Sequence, residues 1–473
     1  MEHVQPDVPF ARENAVLSSD RISEFSSTLR GRVVQPGDAD YDTSRRVYNA
    51  MIDRFPRLIV YCRDVADVMT CVNFARDQSV LLAVRGGGHN GGGLGTCDEG
   101  LVLDLSMMKG IRVDVPGRNV RVEGGCIWSD VDHATHAFGL ATPSGIIGTT
   151  GVGGLTLGGG LGHLTRKCGL TVDNLIEADV VLANGRLVTA SAEQNAELYW
   201  ALRGGGGNFG VVTSFLFRLH AVDTVVAGPT FWPLERSGDV LRWYRDFIVS
   251  APEDLNGFFA YLTVPSVDPY PKDLQGMKVC GVVWCFTGAE TDADAVFKPV
   301  REFGPPLMHG VQPMPFTALQ SAFDAFYPPG HQWYWRADFV KTLSDDAILE
   351  HQRYGVEMPT PLSTMHLYPI DGAAHRPNQA DTPFSYRDAR WAQVMVGVSP
   401  DPQDAPKITA WTKSYWEALH PHSAGGAYVN MMMDEGEERI RASYRGNYDR
   451  LVAVKRQFDP DNLFRVNQNI RPR

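Results

Sequence analysis

Two glycine tracts in the first half of the chain have the composition of loops that bind a phosphate group. The first, residues 85–91, reads Arg-Gly-Gly-Gly-His-Asn-Gly, and the second runs from Gly145 to Gly162. Without Cβ atoms the backbone approaches an anion closely, and successive N–H groups form an anion-binding nest to which Arg85 adds charge. The tracts indicate a pyrophosphate site; a pair of glycine-rich surface turns is the alternative that a single tract leaves open.

Two sets of glycines also have the spacing of the dinucleotide fingerprint. Gly86-X-Gly88-X-X-Gly91 and Gly205-X-Gly207-X-X-Gly210 both match it. In a Rossmann domain the fingerprint follows a strand and opens a helix, so that the pyrophosphate meets the helix N-terminus. The first match follows a predicted strand but continues as loop, and the second follows a predicted helix and leads into a strand. The contexts argue against a Rossmann nicotinamide enzyme.

Several histidines have spacings that a metal site would use. His133 and His136 lie three residues apart on a predicted helix, and His420 and His422 form a second close pair. Neither pair is accompanied by a third ligand in a zinc-binding pattern. We expect an exposed helical face for the first pair, and no metal site.

A predicted β-α-β unit leads into the first glycine tract. A short strand covers residues 58–61, Asp64 is a good N-cap, apolar residues with helical spacing follow up to Arg76, and a buried type of strand covers Val80–Val84. The remaining predicted elements of this half are strands over Leu101–Leu105, Ile111–Val115, Val120–Glu123, Ile176–Leu182, Leu187–Ala190 and Val211–Leu219, and helices over Ser129–Phe138 and Ala196–Leu202.

The texture of the sequence changes near Ala221. Glycine runs stop, and aromatic residues and prolines become frequent. This predicts a second domain with a large antiparallel sheet and flanking helices, including a strand over Trp391–Val398. The last fifty residues differ again, with a basic amphipathic helix predicted over Tyr444–Phe458 and ended by Asp459-Pro460.

Composition and charge exclude several classes of protein. The 473 residues favour about two domains, and the formal net charge of −11 argues against a nucleic-acid partner. No stretch approaches the roughly 20 apolar residues of a membrane span. The first residues lack the pattern of a secretory leader. Seven scattered cysteines favour reduced thiols over a disulfide framework. We expect a cytoplasmic protein, monomeric or homodimeric, without a membrane partner.

Eight motifs occur along nearly the whole chain, at residues 85–90, 101–106, 151–162, 173–175, 207–213, 444–451, 458–464 and 467–470. Taken together and in this order, they resemble the motifs of the berberine-bridge-enzyme-like FAD-linked oxidases. The resemblance implies an α+β fold of the vanillyl-alcohol-oxidase superfamily. A FAD-binding PCMH-type domain would cover residues 1–221, completed by 426–473, and a substrate-binding domain would cover 222–425.

The resemblance implies that His89 bonds covalently to the 8α-methyl group of FAD. Many members add a second bond from a cysteine, whose position is Ile147 here; Cys168 lies too far along and is expected to be a packed thiol. The single-histidine pattern is similar to that of 6-hydroxynicotine oxidase. The residues expected to bind FAD are Arg85, Gly86, Gly87, Gly88, His89, Asn90, Gly91, Ser144, Gly145, Thr149, Thr150, Gly153, Gly154, Gly158, Gly162, Val212 and Asn467.

The resemblance also supplies two catalytic candidates. Tyr428, in a Tyr-X-Asn segment, matches a tyrosine that relatives carry at the active face; an ordinary interface tyrosine is the alternative. Its pKa must fall from about 10 for it to act as a base near neutrality. The strand that carries an acidic or amide residue over the flavin offers Gln393 and Met395. Plant members have tyrosines at the positions of Gly91 and Leu161, so we expect a less polar pocket here.

Other pocket residues bear on the electron acceptor and the entrance. Relatives that react with oxygen tend to have a small residue at the position of Thr150, which favours an oxidase. His331 and the run Trp333-Tyr334-Trp335 are candidates for the substrate mouth, although aromatic residues of a sheet are more often core.

The function that the resemblance implies is oxidation of a hydroxyl-bearing carbon of a small molecule. A hydride would pass to flavin N5, a base would remove the O–H proton, and O₂ would reoxidise the flavin and form H₂O₂. An amine oxidase like 6-hydroxynicotine oxidase and a dehydrogenase with another electron acceptor are the alternatives. A flavin-binding protein without turnover is a third, which the presence of Tyr428 disfavours.

Overall fold

The computed structural model describes residues 17–473. The expectation about a secretory leader falls on residues 1–16 and lies outside this part. In the described chain, no helix is both long and apolar enough to cross a bilayer.

The first half of the chain alternates short strands and helices. Its elements are α1 (Ser19–Ser27), β1 (Arg32–Val34), α2 (Tyr41–Ser44), β2 (Leu58–Tyr61), α3 (Val65–Asp77), β3 (Leu82–Arg85), β4 (Leu101–Asp104), β5 (Ile111–Asp114), β6 (Asn119–Glu123), α4 (Trp128–His136), β7 (Leu140–Ala141), α5 (Val152–Leu157), α6 (Thr165–Cys168), β8 (Leu175–Val181), β9 (Leu187–Ser191), α7 (Ala196–Leu202), β10 (Val211–Arg218) and β11 (His220–Ala221). The predicted elements are present, with most ends displaced by one or two residues.

Two sheets carry the glycine tracts. In the first, with order β1-β2-β4-β3, strands β2 and β3 run parallel to β4, as the predicted β-α-β unit requires. Asp64 caps α3 by accepting a hydrogen bond from the backbone N–H of Asp67. The second sheet, β5-β6-β10-β8-β9, is antiparallel, and Trp128, Phe215 and Phe217 pack in its core. The first tract begins at the end of β3, and the second contains α5.

A larger antiparallel sheet begins at Thr224. Its strands follow the order β15-β12-β14-β13-β18-β19-β17, with β16 also paired to β12. The elements are β12 (Thr224–Pro233), α8 (Ser237–Ser250), β13 (Leu255–Thr263), β14 (Lys278–Phe286), α9 (Glu290–Glu302), β15 (Met308–His309), β16 (Gln312–Pro315), α10 (Phe316–Gln320), β17 (Gln332–Val340), α11 (Asp345–Val356), β18 (Thr364–Pro369), β19 (Trp391–Ser399) and α12 (Ala405–Leu419). Helices α8, α11 and α12 cover one face, where Leu241, Ile348 and Tyr415 pack on Trp391 and Met395.

The C-terminal segment contains two helices where one was predicted. Instead of a single helix over Tyr444–Phe458, the chain forms α13 (Glu437–Tyr444) and α14 (Tyr448–Phe458), separated by a 3₁₀ turn over Arg445–Asn447. Arg445 has a φ of 46°, in the left-handed region that ends a helix. The Asn447 amide donates to two backbone carbonyl groups of residues 379 and 382, and these distant partners hold the break.

A buried ion pair joins the C-terminal segment to the first half. The Lys455 side chain is fully buried, and its Nζ atom lies 2.7 Å from the Asp459 carboxylate, 2.7 Å from the Asn208 carbonyl oxygen and 2.8 Å from that of Phe464. The Asp459 carboxylate accepts the backbone N–H groups of Leu463 and Phe464. Every polar atom of the pair that the fold buries therefore has a partner.

We expect Lys455→Met to lower the free energy of unfolding by about 3–5 kcal/mol, because it leaves Asp459 buried without its cation. The matched control is Lys298→Met, which removes one partner of an exposed pair with Glu302 and should cost less than about 1 kcal/mol. Urea unfolding followed by circular dichroism measures both. Equal effects of the two substitutions would contradict the assigned role of the buried pair.

Candidate FAD and substrate site

A cavity of about 340 Å³ lies between the glycine tracts, the larger sheet and the C-terminal segment. Its lining includes residues of the two glycine tracts, residues 206, 207 and 210–212, and residues of β17, β18 and β19. The described residues that line it include one charged side chain, Arg85. The cavity therefore combines a glycine-rich cleft with an aromatic chamber.

The two glycine tracts contact each other through their backbones. A Cβ atom on Gly87 would lie 2.4 Å from the Gly151 nitrogen, and one on Gly151 would lie 2.3 Å from the Gly87 nitrogen. A Cβ atom on Gly154 or Gly207 would meet nothing within 4 Å, because both residues face open space. The result is a cleft with backbone walls, which suits a pyrophosphate.

Asn467 supplies a second sign of a bound group. Its amide nitrogen donates to the Gly207 carbonyl at 3.1 Å and to that of Phe464 at 2.9 Å. Its Oδ1 atom is buried and has no hydrogen-bond partner among residues 17–473, although the residue lines the cavity. An unmatched buried acceptor costs about 1–3 kcal/mol, so this oxygen fits a ligand that donates an O–H or N–H group, as the ribityl and adenine parts of FAD do.

Arg85 has a different role from the one predicted. Its Nε atom lies 2.5 Å from the Asp104 carboxylate, and its terminal nitrogens bond to the carbonyl oxygens of Ser44 and Arg46. The guanidinium charge is therefore neutralised within the protein. Arg85 lines the cavity, but it anchors the loop rather than adding charge to a phosphate-binding nest.

His89 lies at the junction of the tracts, with both ring nitrogens beside threonines. Its Nε2 atom is 3.0 Å from the Thr149 hydroxyl oxygen, and its Nδ1 atom is 3.4 Å from that of Thr150. The Tyr48 ring stacks on the imidazole at a centroid distance of 3.9 Å. Burial lowers the pKa of His89 to about 4, so the ring is neutral at neutral pH and keeps one nitrogen lone pair.

Twelve of the seventeen expected FAD residues line the cavity, and five do not. Gly91 lies under the Trp335 indole, and Gly158 packs against the Asn430 amide. Thr149 acts through His89. Ser144 accepts a hydrogen bond from Gln320, and Gly162 packs on the carbonyl oxygen of Ser144. The twelve are Arg85, Gly86, Gly87, Gly88, His89, Asn90, Gly145, Thr150, Gly153, Gly154, Val212 and Asn467.

Tyr428 lines the cavity and is buried. Its phenol oxygen accepts the backbone N–H of Gly160 at 2.9 Å and the side-chain amide of Asn430 at 2.8 Å. Burial raises the pKa of Tyr428 to about 12, while these two donors act in the opposite direction. Two N–H donors aimed at one phenol oxygen stabilise its anion.

Gln393, the second catalytic candidate, points away from the cavity. It alternates along β19 with Val394 and Val396, which line the cavity, and it lies beside His351 of α11 under the helical layer. Met395 packs on that same face. Because successive residues of a strand face opposite sides, the prediction for Gln393 is wrong, and this strand offers valines to the site.

Only some of the residues predicted for the substrate mouth line the cavity. Trp333 and Trp335 line the cavity, whereas Tyr334 lies on the other face with Lys413 against its ring. His331 pairs with Asn49 at the end of β17 and does not line the cavity.

Several residues that line the cavity were not predicted from the sequence. Tyr48 and Tyr327 lie in loops far from the glycine tracts and carry no local signal, whereas the spacing of His366 and Tyr368 within a strand places both on one face.

Each of the two histidine pairs named above has its own acidic neighbour. The His136 Nδ1 atom lies 3.5 Å from the Asp223 carboxylate, and the His420 Nδ1 atom lies 3.0 Å from the Asp338 carboxylate.

The fold and the cleft define an FAD-binding protein of the two-part type. Residues 56–191 match the family model described as "FAD binding domain", and residues 427–471 match "Berberine and berberine like". An FAD-linked oxidoreductase of Dictyostelium discoideum is 33% identical, over 95% of this chain and 97% of that protein. The chain therefore belongs to the berberine-bridge-enzyme-like FAD-linked oxidoreductases.

Other relatives agree with this family over similar lengths. (R)-6-hydroxynicotine oxidase of Paenarthrobacter nicotinovorans is 28% identical over 94% of this chain and 97% of that protein. The crystal structure of a 6-hydroxy-D-nicotine oxidase from Arthrobacter nicotinovorans superposes with a TM-score of 0.82, at 25% identity, over 94% of this chain and 98% of the other. A Physcomitrella patens berberine-bridge-enzyme-like protein has a TM-score of 0.85 at 23% identity, over 96% and 99% of the two chains, and supports the fold. The expected α+β fold is confirmed.

Asp132 is a buried carboxyl group behind the cleft, on α4. Gln320 donates to its carboxyl group at 3.2 Å and to the Gly145 carbonyl at 3.2 Å, and it also contacts the Ser144 hydroxyl. Burial raises the pKa of Asp132 to about 7, and the nearby Asp324 adds to this shift.

We expect the raised pKa of Asp132 to make stability fall as the pH rises from about 4 to about 7. In this window the unfolded chain releases the proton and the folded chain keeps it, so the unfolded state gains relative stability with rising pH. Asp132→Asn removes this titration. The free energy of unfolding of the variant, relative to that of wild type, should therefore rise across the window by the order of a few kcal/mol and then stay constant. Urea unfolding of both proteins across the pH range measures the difference, and a pH-independent difference contradicts the assignment.

Proposed function

We propose that this chain is an oxidase that acts on a hydroxyl-bearing carbon of a small molecule and holds its FAD through one covalent bond to His89. Bound FAD would accept a hydride from the substrate C–H bond and pass two electrons to O₂, while the protons released complete H₂O₂. Residues 1–221 with 426–473 would form the FAD-binding domain, and residues 222–425 the substrate domain.

The surroundings of His89 support the single covalent bond. A neutral imidazole whose Nε2–H donates to Thr149 leaves the Nδ1 lone pair as nucleophile, and the 3.4 Å contact of Nδ1 with Thr150 is the looser of the two. Ile147, which cannot form a bond, occupies the position of the second linkage and lines the cavity. Burial raises the pKa of the Cys168 thiol to about 11, which argues against a reactive thiolate.

The hydrogen bonds of Tyr428 carry the assignment of the base. Its oxygen already accepts two N–H groups, so the phenol proton is free to be donated, and loss of this proton leaves an oxygen with two donors in place. Burial outweighs those donors and raises the pKa of Tyr428 to about 12, so the proposed base requires bound FAD or substrate to lower this pKa. A phenolate at this position would accept the substrate O–H proton.

An amine oxidase is the second candidate, because (R)-6-hydroxynicotine oxidase aligns with almost the whole chain. Thr150 lines the cavity beside His89. Its small side chain favours O₂ as the electron acceptor, and therefore an oxidase rather than a dehydrogenase. Hydride transfer from an alcohol panel and an amine panel, followed as loss of the flavin visible absorbance without oxygen, distinguishes the two substrate classes. H₂O₂ formation in air distinguishes an oxidase from a dehydrogenase.

We expect flavin fluorescence to follow the denatured wild-type band in a gel and to be absent from the His89→Ala band. Thr149→Val should slow covalent attachment about two- to tenfold, the equivalent of one hydrogen bond. Thr189→Val is the matched control, because the Thr189 hydroxyl bonds to Asp179 away from the cavity. A fluorescent His89→Ala band would assign the bond to another residue, and wild type that releases free FAD would exclude a covalent bond.

We expect Tyr428→Phe to slow anaerobic flavin reduction by about 10²–10⁴, the contribution of a general base, while the covalent flavin content stays unchanged. The control is Tyr244→Phe, which removes a buried phenol that donates to the Gly257 carbonyl on the helical side of the sheet. Both proteins are compared by stopped flow over a pH range. A Tyr428→Phe enzyme that keeps the wild-type rate and pH profile rules out this base.

A further inference from the structure

His366 and Tyr368 form a hydrogen-bonded pair in the wall of the aromatic chamber. The two residues lie two positions apart on the cavity face of β18, and the His366 Nδ1 atom lies 2.6 Å from the Tyr368 phenol oxygen. Their neighbours across the sheet are apolar: Val394 on β19 and Ala260 on β13 flank His366. The pair is thus a polar spot within an otherwise hydrophobic part of the wall.

The second nitrogen of His366 is available to a ligand. Its Nε2 atom has no hydrogen-bond partner within the described residues, and the side chain is half-buried in the cavity lining. Burial lowers the pKa of His366 to about 3 and raises that of Tyr368, so both groups are neutral at neutral pH. If the phenol donates to Nδ1, Nε2 carries a proton and donates; in the other tautomer, Nε2 accepts.

The pair shares the cavity with the proposed base, because Tyr327 and Tyr428 line it as well. An ionised Tyr428 or Tyr327 would raise the pKa of Tyr368. The Phe258 ring lies 5.0 Å from the His366 ring and 5.1 Å from the Tyr368 ring and packs against both. A molecule that brings its reacting group to Tyr428 would thus have another part near His366.

Two indole rings line the chamber. The Nε1 atoms of Trp333 and Trp335 are buried without a hydrogen-bond partner in the described chain, and that of Trp335 lies against Gly91. The rings lie 5.8 Å apart, and Tyr327 lies 5.5 Å from Trp333, which gives the chamber an aromatic wall for a planar ring.

The charge of the lining restricts the ligand further. Arg85 is paired with Asp104, and the described lining contains no carboxylate. An ammonium or carboxylate group would lose its water there without meeting an opposite charge, which is costly. A neutral ligand does not have this desolvation cost.

We propose that His366 and Tyr368 position the substrate through an oxygen that is distinct from its reacting group, and that they select a neutral aromatic alcohol with at least one additional oxygen. This inference rests on the proposed function for the identity of the reacting group. In this reading the pair determines specificity and does not take part in the chemical step.

The test measures binding to the flavin-loaded enzyme without oxygen, from the rapid shift of the visible spectrum of the flavin that precedes any loss of its absorbance by reduction. The probes are the three isomers of hydroxybenzyl alcohol, benzyl alcohol, which lacks the second oxygen, and the three isomers of hydroxybenzylamine, which are cationic. At least one hydroxybenzyl alcohol should bind about tenfold more tightly than benzyl alcohol, the equivalent of one or two hydrogen bonds. The corresponding amine should bind more weakly than that alcohol.

Variants of the pair should remove the preference and leave the rest of the site intact. In Tyr368→Phe and in His366→Gln, the affinities for the preferred hydroxybenzyl alcohol and for benzyl alcohol should come within about twofold, with covalent flavin unchanged. Tyr415→Phe is the matched control, because Tyr415 and His351 form the same kind of pair at 2.7 Å on the helical side of the sheet. This control should keep the preference.

Three results overturn the proposal: equal binding of hydroxybenzyl and benzyl alcohols by wild type, a preference retained by both pair variants, or no spectral response to any of the alcohols. Failure of the proposed function has a different signature. If the preference and its loss are observed but no probe reduces the flavin, the pair still binds the oxygen while the assigned reaction is wrong. If the flavin is reduced without any preference, the reaction stands and the role of the pair does not.

Discussion

The backbone contact between Gly87 and Gly151 is the constraint on which the cofactor site depends. Each glycine occupies the space that a Cβ atom of the other would need. His89 lies two residues beyond Gly87, and Thr149 lies two residues before Gly151, so one contact also brings the imidazole to the threonine hydroxyl. The two loops are held from outside the cleft: Arg85 is fixed to Asp104 on β4, and the residue after Gly151 donates to the Cys126 carbonyl.

Similar steric exclusion shapes the substrate side. A side chain on Gly91 would have its Cβ atom 2.3 Å from the Trp335 ring, so the indole takes the space above this glycine. Plant relatives, by the resemblance, have a tyrosine at the position of Gly91. That tyrosine and Trp335 could not occupy the same space, and the two positions are therefore coupled. In this chain the larger sheet, rather than the first glycine tract, supplies the aromatic wall.

The parts of the molecule that the sequence predicted are those set by local rules. The β-α-β unit, the glycine tracts and the antiparallel sheet follow from periodicity and turn residues. Gln393 was misassigned because all nine residues of β19 are buried, so no alternation of polar and apolar residues identifies the cavity face. The break at Asn447 and the neutralisation of Arg85 depend on partners 62–68 and 19 residues away, which periodicity does not report.

Charged side chains near the chamber hold one of its strands in place and point away from the cavity. On β17, Arg336 and Asp338 alternate with Trp333 and Trp335, so the pleat directs the charges away from the cavity. Arg336 lies 2.5 Å from Glu435, and Arg439 bonds to Asp338, with both carboxylates almost completely buried. Replacement of such pairs by apolar residues is often neutral for stability, so burial energy alone does not account for them. Their geometric effect is specific: they join β17, which carries the indoles, to the segment that follows Tyr428. Backbone bonds of Phe339 to Ala424 and Gly426 complete the junction. The segment that carries Tyr428 and the aromatic wall are thereby joined through one strand, and the charges that join them point away from the chamber.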